Sequence, residues 1–127
     1  MKVLEMGPWR MGMSICFDLR FPEMYRKYTL DYKTNLLSIS SAFTFPTGKA
    51  HWHTLVRARA IENQCYVVAA NQWGEHNEKM KTFGHSLIID PWGDILADAE
   101  EGEKMITAEL SLNRVREIRS RMNVTKL

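Results

Sequence analysis

Cysteine is scarce in this chain: two among 127 residues, Cys16 and Cys65. One pair cannot supply the disulfide framework of a small secreted domain, so a reducing, cytoplasmic setting is expected. An excess of charge of either sign is also missing. Lys and Arg number 17 against 15 Asp and Glu, a formal net charge of +2. That balance gives no electrostatic reason to expect nucleic acid or a membrane surface as a partner. Long apolar runs are absent too: the longest, such as Tyr66 to Ala70 and Leu87 to Ile89, are strand-length. No bilayer-spanning helix is expected from them. Met1 to Pro8 carries one lysine with no apolar run behind it, so no secretory leader is expected there. No Walker-type loop occurs, and Gly12 alone makes no dinucleotide fingerprint.

What is present is ordinary globular composition, 45% hydrophobic and 25% charged, at a length that allows one compact domain. Strand and helix signals alternate. Met11 to Cys16 reads as a short strand, and Pro22-Glu23 suits the first turn of a helix to about Thr29, with Met24 and Tyr28 on one face. Asn35 to Ser40 is a second strand and Ser41 to Lys49 a loop. His51 to Asn63 is the strongest helix signal, with Trp52, Leu55, Val56 and Arg59 at helical spacing. Cys65 to Ala70 is apolar throughout, as a strand covered on both faces would be. Gln72 to Thr82 reads as a polar loop, and His85 to Ile89 with Asp94 to Ala97 as a hairpin across Asp90-Pro91-Trp92-Gly93. Lys104 to Glu109 reads as a last strand. Ser111 then caps a helix over Leu112 to Met122, with Leu112, Val115, Ile118 and Met122 inward and its arginines mostly outward. The whole is an α/β layer protein.

Cys16 stands where a strand ends and a turn into a helix begins. Such a turn exposes a nucleophile and aims backbone N–H groups at a developing oxyanion. A buried structural cysteine fits the same position. Asp18 and Arg20 are placed to form an ion pair that locks the turn. Cys65, at the start of an apolar strand with no basic neighbour in sequence, reads as structural. His51 and His53 point in different directions on a helix and no third ligand keeps metal-like spacing, so no metal site is expected. His76 reads as solvated, and His85 as a residue that orients a loop by hydrogen bonding. Arg57 and Arg59 face different sides of their helix. Glu62 stands three residues beyond Arg59, a pair that is worth little when exposed and organises a pocket wall when buried.

The segment Gly12-Met13-Ser14-Ile15-Cys16-Phe17-Asp18-Leu19-Arg20-Phe21-Pro22-Glu23 closely resembles the nucleophile motif of the nitrilase superfamily, the carbon–nitrogen hydrolases. The resemblance continues in order through Ser41-Ala42-Phe43, Thr47-Gly48, Ala50-His51-Trp52 and Arg57-Ala58-Arg59-Ala60-Ile61-Glu62-Asn63-Gln64. It ends with Gly84-His85-Ser86 and Asp90-Pro91-Trp92-Gly93. Gln64 to Ala70, with Gly74, His76 and Glu78-Lys79, looks most like the deaminated glutathione amidase branch, with the omega-amidase branch beside it.

The resemblance implies a thiol amidase without cofactor, taking the amide of a small ω-amido acid through a cysteine thioester and releasing ammonia. Cys16 is the implied nucleophile and the Phe17 backbone N–H an implied oxyanion donor. Asp18, Arg20, Glu23, Arg57, Arg59 and Glu62 are implied supporting residues. Ser40, Ser41, Phe43 and Trp73 are candidate walls of the substrate pocket. The family fold is an αββα sandwich, of which residues 1–127 match the C-terminal half. An apolar sheet face is therefore expected to lie uncovered. The family's general-base Glu, its Lys and its second active-site Glu have no match here, and Lys2 and Glu5 lie in no family motif. In the family the helices corresponding to residues 22–29 and 51–63 build a homodimer interface. Two readings follow: the nucleophile-bearing half of an amidase whose N-terminal half is supplied elsewhere, or a non-catalytic remnant or interaction module of the fold.

Overall fold

The computed structural model describes residues 1–125. A hairpin opens the chain, β1 (Lys2–Met6) against β2 (Trp9–Ile15). No element is expected over residues 1–8 from the sequence. They pair because Gly7, at a positive φ of 58°, supplies the tight turn. A 3-10 turn (Cys16–Arg20) leads into α1 (Pro22–Tyr32), which begins on Pro22 as expected and runs beyond Thr29. Then come β3 (Leu36–Ser41), a short helix α2 (Phe45–Thr47), a π turn (Gly48–Trp52) and α3 (His53–Asn63). Residues 41–49 are thus not wholly loop. β4 (Tyr66–Asn71) completes a parallel ladder β2-β3-β4.

Residues 72–82, expected as a polar loop, instead hold most of a hairpin, β5 (Trp73–Asn77) and β6 (Met80–Phe83). Polar side chains hid this hairpin, in which His76 Nε2 meets Thr82 Oγ1 at 2.8 Å. The hairpin β7 (Leu87–Ile89) and β8 (Ile95–Asp98) forms as read and joins the main sheet, whose order is β1-β2-β3-β4-β7-β8. Lys104 to Glu109 is no strand: it joins no ladder, and strand structure requires one. Ser111 caps α4 (Leu112–Arg121) by accepting from the Arg114 amide at 3.4 Å. Val115 and Ile118 are buried, but Met122 is half exposed, because the helix has ended before it. Two of its arginines are also engaged rather than solvated. Arg114 Nε donates to Asp90 Oδ2 at 3.0 Å, and Arg119 Nη2 donates to Thr34 O at 2.8 Å. The Asp90 contact raises the Arg114 pKa above its ordinary value.

The strand register sorts the sheet into two faces. Gly12, Leu37, Val67 and Ile89 lie in one row, and Ser14, Ile39, Ala69 and Leu87 in the next. Both rows are buried, packed by Trp52, Val56 and Ala60 from the α3 region and by Leu19, Tyr25 and Tyr28. Gly12 is required there: a Cβ would stand 2.8 Å from the Tyr28 ring. The alternate rows, Met13-Ser38-Val68-Ile88 and Ile15-Ser40-Ala70, face away from the helices. Ile15 remains 69% and Met13 47% exposed. This is the uncovered apolar sheet face that half of a sandwich should leave.

Candidate active site

Cys16 is delivered by β2, which ends at Ile15, one residue earlier than the sequence suggested. Its backbone takes φ 45°, a left-handed value that costs a non-glycine residue of order 1 kcal/mol or more and persists only when its surroundings enforce it. Those surroundings are visible. Asp18 Oδ2 accepts from the Ile15 amide at 2.9 Å, across the strained residue. Leu19 is fully buried, and its carbonyl accepts from Arg59 Nε at 3.0 Å and Arg59 Nη2 at 2.6 Å. Arg59 is itself 4% exposed, held by Glu62 Oε1 at 2.9 Å and lying over the Tyr25 ring. Tyr25 meets Ser14 Oγ at 2.7 Å, and burial, outweighing that hydrogen bond, pushes its pKa up to about 12. Strand, turn, α1 and α3 are thereby tied around one elbow.

The elbow presents Cys16 half-buried, with Phe17 64% exposed beside it. Phe17 lies in the first turn of the 3-10 segment, where amides lack an intrahelical partner and can face a ligand. The Asp18–Arg20 ion pair does not form: Asp18 is turned back onto the strand amide. Arg20 instead lies over the Phe17 and Phe43 rings, with both terminal nitrogens 3.5 Å from His51 Nδ1. A cavity of about 540 Å³ flanks the elbow, lined by Ser14, Ile15, Asp18, Ser38 and Ser40 among others.

Of the proposed pocket walls, Ser40 therefore stands beside the elbow, and Phe43 is a core residue under Arg20. Ser41 pairs with Asn71 on the next strand, and Trp73 packs over Gly84 from the separate hairpin. Two supporting residues lie elsewhere. Arg57 Nε donates to Gly93 O in the β7–β8 turn. Glu23 lines a different cavity, of about 470 Å³, with Arg26, Ile61 and Glu62. Lys2 and Glu5 belong to the N-terminal hairpin, where Glu5 pairs with Arg10 at 3.2 Å. Among the described residues no hydrogen bond or ion pair joins Cys16 to a Glu or Lys. Ser14 and Tyr25 were not singled out from sequence. Tyr25 falls one position from Met24, and only the packing of α1 on the sheet separates the two.

Cys65 has no access to solvent. Its Sγ lies 3.3 Å from the carbonyls of Thr34 and Asn63 and 3.4 Å from Arg119 Nη2, so the fold supplies the basic neighbour that the local sequence lacks. Burial still dominates and pushes its thiol pKa up.

The carbon–nitrogen hydrolase profile matches residues 1–120. The chain belongs to that family, the nitrilase superfamily. It is 50% identical over 112 residues to a deaminated glutathione amidase from Synechocystis, covering 88% of this chain and 41% of the relative. The crystal structure of the Caenorhabditis elegans NitFhit protein superimposes with a TM-score of 0.86 at 51% identity, over 91% of this chain and 28% of that one. Saccharomyces cerevisiae Nit3, described as a member of branch 10 of the nitrilase superfamily, gives a TM-score of 0.90 at 34% identity, over 98% of this chain and 46% of that one. The chain spans less than half the length of each. Among the described residues no helix is long and apolar enough to cross a membrane.

Proposed function

We propose that residues 1–127 are the C-terminal, nucleophile-bearing part of a carbon–nitrogen hydrolase that cleaves the amide of a small ω-amido acid, deaminated glutathione being the candidate named by its relatives. The observation that carries this reading is the Cys16 elbow: a strained, half-buried thiol at a strand's carboxyl end, braced from three sides. The Cys16 sulfur attacks the amide carbon, and the tetrahedral oxyanion is held by backbone amides of the first turn, that of Phe17 foremost. Collapse expels ammonia and leaves a thioester on Cys16, which water hydrolyses to the acid. The general base for both steps and the cationic oxyanion partner are supplied by a region outside these residues, since among the described residues no Glu or Lys is bonded to Cys16. No cofactor is required.

The same lack of a base partner favours one alternative, a non-catalytic module that docks through its open sheet face. Mixing this chain with a separately produced N-terminal half of the family domain separates the two. Ammonia release by the mixture, abolished by Cys16→Ala, is expected. Absence of activity in every combination contradicts catalysis and leaves the module reading.

A further inference from the structure

Away from the elbow, three side chains from three elements meet on the helix-covered side of the sheet. His53 opens α3, His85 precedes β7 and Asp98 ends β8. The Asp98 carboxylate accepts from His53 Nε2 at 2.9 Å and from His85 Nδ1 at 3.0 Å. Burial alone would raise the Asp98 pKa, but the hydrogen bonds from His53, the Glu100 amide and His85 outweigh it and hold it below 3.8. The group is therefore an ionised carboxylate facing two imidazole nitrogens.

We propose that His53 Nε2, His85 Nδ1 and Asp98 bind one divalent transition-metal ion of the zinc class. All three ligand atoms lie within 4.8 Å of one another. Tetrahedral zinc, with bonds of about 2.0–2.1 Å, needs ligand atoms about 3.3 Å apart. Asp98 Oδ2, the oxygen both rings reach, lies 2.9 Å from His53 Nε2 and 3.2 Å from His85 Nδ1, slightly inside that spacing, so a small side-chain adjustment opens the site. Two imidazoles and one carboxylate suit zinc, cobalt or nickel rather than calcium or magnesium, which take oxygen. Binding uses the tautomer of each ring whose proton sits on the nitrogen away from the metal, so the coordinating nitrogen offers its lone pair. No net proton is lost.

The ligands are already oriented, which lowers the ordering cost of binding. His85 is fixed in the left-handed region at φ 55°, its amide donating to Glu100 O and its carbonyl accepting from Trp52 Nε1. Its ring stacks on Phe83 at 4.4 Å, and the His53 ring meets Phe83 edge-on at 5.9 Å. The Glu100 amide, 2.7 Å from Asp98 Oδ1, anchors the carboxylate as outer-shell donors do in metal centres. With His53 34% and Asp98 25% exposed, a fourth position is left for water. The metal would tie α3 to the β7–β8 hairpin. This function is separate from the chemistry at Cys16.

The test is zinc titration of the intact chain by competition with a chromogenic chelator, alongside thermal unfolding and cobalt absorption. The wild-type chain should take up one zinc, with a melting temperature that rises with zinc. The cobalt spectrum should be tetrahedral, without a thiolate charge-transfer band. Cys16→Ser and Cys65→Ser should bind equally. His53→Gln and Asp98→Asn, each checked for native circular dichroism, should bind at least about tenfold more weakly. No zinc-dependent shift in the folded wild type, or binding lost with a cysteine and retained in His53→Gln, would overturn the proposal.

Discussion

Cys16 and Cys65 stand at opposite ends of one parallel ladder, the first just past the carboxyl end of β2 and the second just before the amino end of β4. The first is strained, half exposed and held by hydrogen bonds to the backbone around it. The second is sealed among carbonyls and an arginine, and its thiol is pushed away from ionisation. Chemistry is expected where strands end and the chain must turn, while strand beginnings are closed by packing. A guanidinium near sulfur does not by itself make a reactive thiolate, because the desolvation cost at Cys65 exceeds the attraction of Arg119.

The largest expected difference is chemical. Alkylation of the folded chain should modify Cys16 at least about a hundredfold faster than Cys65, whose labelling waits for an opening of the core. Peptide mass spectrometry over time reads both rates, and equal rates would break the comparison. Next comes the brace. Arg59→Met removes both donors to Leu19 O and leaves that carbonyl and Glu62 short of partners. It should cost about 2–3 kcal/mol by denaturant unfolding and narrow the labelling ratio by exposing Cys65.

The smallest effect concerns Cys65 itself. Cys65→Ala should cost about 1 kcal/mol and leave Cys16 labelling unchanged. It should also alter the alkaline limb of stability. Below the ordinary thiol value of 9.0, folded and unfolded chains both keep the proton. Above it the unfolded chain releases the proton while the folded chain holds it, so wild-type stability falls as pH rises. That fall, measured by urea unfolding across the alkaline range, should be smaller in Cys65→Ala.

Much of this contrast is legible in the sequence alone. Helical spacing placed Trp52, Val56 and Arg59 on one buried face, and the apolar run after Cys65 is a central strand. Both signals are local, but the expectation that this strand is covered on both faces fails, because Val68 and Ala70 face away from the helices and Ala70 is exposed. The hairpin over Trp73–Phe83 was not legible, because its central residues, Glu75 to Lys79, are polar and give no apolar alternation. Nor was the strand-like reading of Lys104 to Glu109 safe, since a strand is made by its neighbour. The site followed the same division. Cys16 and its turn are contiguous and could be read. The Arg59–Leu19 brace spans 40 residues and the His53–Asp98 contact 45, and no spacing rule connects residues so far apart.

The most direct test is to trap the acyl-enzyme in the chain complemented with an N-terminal half, by acid-quenching turnover of an ω-amido acid and mapping the adduct by mass spectrometry. A thioester on Cys16, absent after Cys16→Ala, is the predicted result. An adduct on Cys65, or turnover that survives Cys16→Ala, would contradict it.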